Sequence, residues 1–429
     1  MQKKNKNMKQ FATKILTKRI QINFNQYFSK ILTLSKAEHK ALKELTLGIL
    51  KSKHIHINKI VSSLQEDIKL KDVAKRLSRQ YLKNNFWEKV TTSHIQALSK
   101  SIKKEDYLIW DGTDISKKYA KFMEGLEFVR NGDTKTIGLG YNVLNVNVIN
   151  SSKEIKPLYS KAYSFEMGAK SENNEIKSAA SFIKNITGNI GMWILDRGAD
   201  NTILKDYFVE SINQFVIRLK RNTKVNYKGK DIRVDKLVNK LTFTQSQTVT
   251  KVKKNKRVQE TYDLSIVEID YAIRSKKYKL HLVVTKNKKG GLAYLLVKSN
   301  KENQFEILEQ AFKGYGYRWS IEEYHRHIKQ EYNLEDIQMR TFTGIQSILA
   351  VLTIAMNIIY NELKSIHIKL LLDSGINLLN KNAVWELYNF IYYKIAKITA
   401  VLMINVKLRH KVDYEPNLLR NQLSFNFNV

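Results

Sequence analysis

The chain has 429 residues, enough for two or three domains and a sizeable core. Its 74 lysines and arginines against 40 acidic residues leave a formal charge of +34 and point to a polyanionic partner, although frequent lysine, asparagine and isoleucine beside only two prolines, Pro157 and Pro416, also fit an AT-rich coding bias. The lack of cysteine excludes disulfides and thiolate metal sites and fits a reducing cytoplasm.

Residues Met1 to Arg19 are basic, with isolated apolar positions and no uninterrupted apolar run, which reads as a cytosolic start rather than a signal peptide. The first hundred residues carry helical periodicity, in Phe28-Ile31-Leu32 and in Leu42-Leu45-Leu47-Leu50, with lysines on the other faces. His54 and His56, two positions apart with no third ligand, read as ordinary polar residues. From Asp106 the pattern turns to strands. Tyr107 to Trp110 is a short apolar run of the kind buried on both faces, and Asp111 ends it. Ile137 to Ile149 alternates as a half-buried strand, with Lys156 to Phe165 as its pairing partner. Gly138-Leu-Gly140 sits inside that strand pattern and is no nucleotide loop. Lys170 to Ile186 predicts a helix crossing back to a second apolar run, Met192 to Leu195, ended by Asp196. Asp200 is suited to N-cap the next helix, and Gln214 to Leu219 follows as a fifth strand.

Further β-type runs come next: Asp231 to Val234, Leu241 to Thr244, Tyr262 to Ile269, Leu280 to Val284 and Leu292 to Val297. Tyr315 to Lys329 reads as one helix, on which Arg318, Glu322 and Lys329 share a face while Ile321, Tyr324 and Ile328 mark a face that can bury. The longest apolar stretch, Ile348 to Met356, is broken by Asn357, falls short of the ~20 residues that span a bilayer, and fits a buried helix behind the sheet. Val384 to Ile404 is helical and amphipathic, suited to core or dimer contacts.

Strand ends are where ligands gather in open α/β sheets. A helix laying Glu322 across the ends that carry Asp111 and Asp196 would collect three hard oxygen donors, a set suited to Mg²⁺, with Mn²⁺ as a substitute. Each acid has a competing neighbour. Asp111 is preferred to Asp114 and Asp196 to Asp200 because they close apolar strands. Glu322 is preferred to Glu323 because the latter is turned ~100° off the face of Arg318 and Lys329. His325 and His327 point to different sides of that helix, which argues against a paired metal site and leaves at most a supporting phosphate contact.

Tyr315-x2-Arg318-x3-Glu322-x6-Lys329 resembles the signature of DDE transposases of bacterial insertion sequences, in the group numbered four. Asp111-Gly-Thr113 resembles that family's first-aspartate segment, and Asp196-Arg-Gly-Ala-Asp200 its second, with Gly198 where the family more usually has Glu. Phe215-Val-Ile-Arg218 also matches, and the resemblance covers about residues 105 to 360. The order of three strands, a helix and a parallel fourth strand is that of an RNase H-like fold. The fold class expected is therefore mixed α/β: an RNase H-like core over 105–222 and 301–363, with a β domain inserted at 223–300. A helical DNA-binding domain over 1–104, with Val73 to Leu82 resembling its end, and a helical C-terminal region over 364–429 flank the core. The gap of 126 positions between Asp196 and Glu322 (322 − 196) independently calls for the insertion.

The activity implied is cut-and-paste transposition, with the element's terminal inverted repeats and target DNA as partners, in a paired-end homodimer in the bacterial cytoplasm at the nucleoid, without membrane. Two Mg²⁺ ions ~4 Å apart, bridged by Asp111 and further held by Asp196 and Glu322, would serve in-line attack on a phosphodiester. Arg318, Lys329 and Tyr315 would hold DNA phosphates beside them, with Arg218 and Arg197 as further candidates. In this family a tryptophan of the insert can wedge behind a flipped base. This chain has none between Trp193 and Trp319, so hairpin formation is open and Tyr262, Tyr271 or Tyr278 would have to substitute by stacking. The alternatives are an RNase H-like structure-specific nuclease and an inactive, transposase-derived DNA-binding protein.

Overall fold

The computed structural model describes residues 2–132, 134–253, 256–366 and 381–404, together with Val406. Of the C-terminal region expected over 364–429, residues 367–380, 405 and 407–429 lie outside the described residues, as does Met1 of the N-terminal stretch.

Five helices open the chain: α1 (Gln2–Phe28), α2 (Lys36–Ser52), α3 (Ile57–Leu64), α4 (Leu70–Tyr81) and α5 (Phe86–Ser99). Local chemistry sets their starts. Ser35 Oγ accepts from the Glu38 N–H while the Glu38 carboxylate accepts from the Ser35 N–H, a reciprocal cap that begins α2. These helices do not stand apart. Leu42, Leu45 and Ile49 of α2 and Leu77 of α4 share one apolar core with Ile348, Val351, Leu352 and Ala355 of α11 (Phe342–Asn357). Leu32, placed by periodicity on a buried stripe, lies past the end of α1 and is exposed.

The sheet begins with β1 (Tyr107–Ser116), β2 (Glu127–Arg130), β3 (Ile137–Ile149) and β4 (Ile155–Tyr163). Helix α6 (Glu172–Thr187) then crosses to β5 (Met192–Leu195), and α7 (Thr202–Ser211) leads to β6 (Phe215–Leu219). Strand β2 is additional to the expected set. Strand β1 pairs antiparallel with β3 along its full length, whereas its parallel pairing with β5 covers only Tyr107 to Ile109. Asp111 therefore does not end its strand. It sits mid-strand, beyond the reach of β5, because β3 keeps supplying a ladder on the other edge. The Asp200 expectation also changes: Asn201 caps α7 with its side chain, and Asp200 is instead a buried anchor that accepts from Lys205 Nζ (2.8 Å) and the Lys220 N–H (2.6 Å).

The segment expected as a separate insert extends the same sheet. It comprises β7 (Lys224–Tyr227), β8 (Lys230–Arg233), the short helix α8 (Val234–Leu237), β9 (Gln245–Lys253), β10 (Lys256–Ile273), β11 (Lys276–Asn287) and β12 (Leu292–Lys298). Strand β12 pairs antiparallel with β6, from Tyr294↔Leu219 to Lys298↔Phe215, so the mixed sheet runs β2-β3-β1-β5-β6-β12-β11-β10-β7-β8, with β4 also on β3 and β9 also on β10. Leu241 to Thr244 forms no strand: a 3₁₀ turn at Val238–Lys240 precedes it and the ladder starts only at Gln245. Its β-branched and aromatic residues fit a strand, yet no partner lies alongside.

Two apolar layers sandwich the sheet. One holds α9 (Gln304–Tyr317), α10 (Trp319–Glu331) and α11 with the N-terminal helices; the other holds α6, α7 and part of α5. Asn357 does not break the apolar helix. The chain continues through it as a π-helical turn, Ile358–Glu362, and the Asn361 amide donates to Asn357 Oδ1 (2.8 Å). The resulting span, Phe342–Glu362, is long and apolar enough to cross a membrane, but an 18-residue apolar stretch of it is 89% buried inside the fold, which accounts for its composition. Helix α12 (Lys381–Met403) packs against α2 and α10.

Candidate active site

Pairing register builds the site before any side chain is considered. Tyr107 pairs with Met192, an offset of 85, and the same offset carried forward sets Asp111 level with Asp196 (196 − 111 = 85). Leu195 pairs with Ile217, an offset of 22, which sets Arg218 level with Asp196 (218 − 196 = 22). On the other side Asp111 pairs with Asn145. Asn145, Asp111, Asp196 and Arg218 thus form one polar row across β3, β1, β5 and β6, on the face covered by α9 and α10. Below it on that face lie Tyr107, Ile109, Met192, Ile194 and Val216 of the apolar layer.

Helices α9 and α10 cross above this row. The stretch expected as one helix is two, joined at Arg318, whose backbone stays helical (φ −52°, ψ −36°). The joint is a tightened turn, with the Arg318 N–H donating to Tyr315 O and the Ile321 N–H to Arg318 O. Close approach depends on Gly314, since a Cβ there would meet the Tyr107 ring at 2.6 Å and Ile194 Cδ1 at 2.8 Å. Tyr315 and Arg318 are thereby lowered onto the row.

The Tyr315 hydroxyl donates to Asp196 Oδ1 (3.0 Å) and accepts from Arg218 Nη1 (2.9 Å), and Arg218 Nη1 is itself 3.7 Å from Asp196 Oδ1. The Tyr315 ring lies against both guanidiniums, 5.6 Å from that of Arg218 and 6.0 Å from that of Arg318. Arg318 Nη2 pairs with Glu322 Oε1 at 2.7 Å while its Nη1 is 3.9 Å from Asp111 Oδ2. The three acids first singled out are therefore brought around Arg318 and Tyr315, each partly exposed. Among the described residues no three His, Asp or Glu side chains converge tightly enough to form a ready-made metal cage.

Their charges are not equivalent. Burial, reinforced by the charges of Glu322 and Asp196, pushes the Asp111 carboxyl up to about 6, against the pull of Arg318 and the Gly112 N–H. Asp196 is also partly desolvated, but the Arg197 N–H, Arg318, the Tyr315 hydroxyl and Arg218 hold it below the ordinary carboxylate range.

Lys329 lies farther along α10, tied to Asp114 (3.1 Å) and Glu335 (3.6 Å) rather than free. Asp114, the rejected neighbour of Asp111, is buried and also accepts from the Gly132 N–H. Glu323 pairs outward with Arg326. Arg197 is exposed at the end of β5, in no ion pair among the described residues. Both histidines of α10 are buried, His325 next to the Asn145 amide (3.1 Å) and His327 next to the Tyr360 hydroxyl (2.9 Å), and burial lowers each to about 3. Neither side chain is presented to solvent as a phosphate ligand would be. His54 and His56 serve the helical layer instead: His54 faces Asp336 (3.3 Å) and His56 faces Gln338 (2.8 Å). Asn145 and Gly314 were missed from the sequence. The asparagines recurring at 142, 145 and 147 inside an apolar strand were the available signal for the first.

The fold and site define a mixed α/β protein in which acids and arginines meet in one row across neighbouring strands, under a helix pair. No protein-family model and no curated protein matches the chain.

Proposed function

We propose that the chain is a DNA transposase of the DDE type, with an RNase H-like core that cleaves and rejoins phosphodiesters using Asp111, Asp196 and Glu322. The observation that carries this reading is the shared register of Asp111 and Asp196 beneath the helix of Glu322, with Arg318 joining that helix to the row. Strand order supports it. Apart from the added β2, strands β1, β3 and β4 are antiparallel and the α6 crossover leads to β5 parallel to β1, in keeping with the expected three strands, helix and parallel fourth strand. So does the net charge of +34, which suits a polyanion; the partners proposed are terminal repeats and target DNA, bound by a paired-end homodimer in the bacterial cytoplasm.

The donor set fits Mg²⁺. Three carboxylates supply hard oxygens, and Asp111, raised chiefly by burial and then by the charges of Glu322 and Asp196, is a carboxylate whose ionised form a bound cation would favour. Bound there by Asp111, Asp196 and Glu322, a pair of ions would supply Lewis-acid activation of the attacking and leaving oxygens. The remaining work belongs to the chain's own residues. Arg318 now neutralises Glu322 and faces Asp111, so it is poised to turn its guanidinium to a phosphate when DNA arrives. Arg218 stands one strand beyond Asp196, held by Tyr315, and can contact the same backbone. Lys329 can serve the phosphate backbone only in exchange for its bond to Asp114, whereas Arg197 is already exposed. Below about pH 6 the Asp111 carboxyl keeps its proton, so cation binding and cleavage are expected to fall off on the acid side.

The test is incubation of the purified protein with Mg²⁺ and DNA carrying the element's ends. Wild type should cut at those ends, and Asp111→Ala, Asp196→Ala and Glu322→Ala should each lose about 10³-fold or more. An alanine variant that cuts as well as wild type removes its residue from the site. Cutting that ignores the ends supports a nuclease instead.

A further inference from the structure

Beyond Asp111, β1 runs out to Ser116 and the chain enters a segment, residues 117–126, that returns to the edge strand β2. This segment and β2 carry the most exposed aromatics described in the protein: Tyr119 is 85% exposed, Phe122 87% and Phe128 77%. Lys118, Lys121 and Arg130 are interleaved with them, all exposed and in no ion pair among the described residues, and Lys118 Nζ lies 5.4 Å from the Tyr119 ring centre. The two acids of the stretch are turned to internal donors. Glu124 accepts from the Phe342 N–H (2.8 Å), and Glu127 from the Phe165 N–H (2.6 Å) and the Asn142 amide (2.7 Å).

The anchoring of this segment matters. The Glu124 N–H donates to Arg340 O and the Tyr141 hydroxyl to Glu124 O, so the backbone is held while the three rings project to solvent. Register adds a direction. Phe128 pairs with Leu139, which has the same parity along β3 as Asn145, so Phe128 stands on the sheet face that carries Asp111.

Large rings left in water on a fixed backbone need a partner that offers flat apolar faces, and interleaved unpaired cations need one that is negatively charged. Unpaired nucleotides offer both, since every base has a π-face and every link a phosphate, whereas a duplex hides its base faces in its own stack. We propose that Tyr119, Phe122 and Phe128, with Lys118, Lys121 and Arg130, form a stacking surface for an unpaired DNA strand leaving the cleavage site. Asp111 and Lys117 are six residue steps apart, about 20 Å of extended strand, so the surface lies a few nucleotides from the cleavage site. The proposal rests on the transposase reading for the source of the strand, not for the binding itself.

The experiment is fluorescence anisotropy in EDTA, where no cleavage occurs, with labelled oligothymidine and a blunt duplex of equal length. Replacing Tyr119, Phe122 and Phe128 together by Ser should weaken oligothymidine binding about 10-fold or more and leave duplex binding unchanged. Changing Lys118, Lys121 and Arg130 to Gln should reduce the salt slope for the single strand by about 2. Because side chains this exposed can be changed without touching the core, Phe122→Trp serves as a direct reporter, its emission quenched when oligothymidine binds. Unchanged single-strand affinity in the Ser variant, or an unquenched Trp, overturns the proposal. Loss of a dimer in sedimentation with single-strand affinity kept assigns the rings to a second copy of the chain and overturns it too. Aromatic-dependent binding by a protein that cuts no DNA with Mg²⁺ would uphold this surface and sink the transposase reading.

Discussion

On the β1 side of the polar row, Asp111 has one backbone N–H, from Gly112 (2.9 Å), and a guanidinium 3.9 Å away that is already paired with Glu322. On the β5–β6 side, one strand over, Asp196 receives the Tyr315 hydroxyl, faces Arg218 and is stabilised by the Arg197 N–H. The same residue type in the same register is thus driven in opposite directions, Asp111 up to about 6 and Asp196 below the ordinary value. The difference shows where charge is unmet. Asp196 is satisfied by the protein, whereas Asp111 carries a cost that a bound cation would remove.

Replacing each aspartate by asparagine should therefore change stability in opposite directions. Between the unfolded titration near 4 and the folded one at about 6, the folded protein holds an extra proton at Asp111, so raising the pH through that window lowers stability. Asp111→Asn should gain about 2 kcal/mol at pH 8, with the gain gone by pH 4, while losing cleavage. Asp196 is depressed, so its contribution is present above pH 4 and disappears as the pH falls through the folded value. Asp196→Asn should lose about 1 to 3 kcal/mol at pH 8, because the negative charge that Arg218 faces is gone and the Tyr315 hydroxyl keeps only a neutral acceptor, and much less in acid. Chemical denaturation at both pH values checks this. Shifts of equal sign would mean that the asymmetry does not exist.

How much of this was legible in the sequence follows from which contacts are local. The apolar runs at Tyr107–Trp110 and Met192–Leu195 carry their own burial, and the strand from Ile137 to Ile149 has the bounds that alternation gives. The grouping of Arg318 with Glu322 is a matter of helical spacing and was readable for that reason. What depends on a distant partner was not. Asp111 looked like a strand end because the apolar run stops there, but β3 carries the ladder on to Ser116. Lys329 looked like a free cation because its partner Asp114 lies 215 positions away. The β domain expected at 223–300 joins the sheet through β12 on β6, a pairing that nothing local reveals.

The helix pair is a second point at which the difference between the two aspartates can be removed. Gly314→Ala puts a methyl against the Tyr107 ring and Ile194, and overpacking of this kind costs roughly 1 to 3 kcal/mol. If α9 lifts in response, Tyr315 moves away from Asp196 and the two aspartates become more alike. Proton titration of the two carboxyls by NMR should then show their pKa values closer together than in wild type, and an undiminished gap would mean that the helix pair does not create it.

The smallest expected change is also the most local. Tyr315→Phe keeps the ring between the guanidiniums of Arg218 and Arg318 but removes the hydroxyl that donates to Asp196 and accepts from Arg218. Asp196 should rise toward the ordinary carboxylate value, since one of the donors holding it down is gone. Asp111 should stay near 6, because Tyr315 is not among the groups that set it. The stability loss should be about 1 kcal/mol, and Arg218 can still approach Asp196 directly across 3.7 Å. A cleavage rate reduced about tenfold, with its acid limb still near pH 6, would assign that limb to Asp111. A limb that moves with Asp196 would assign it to the other side of the row.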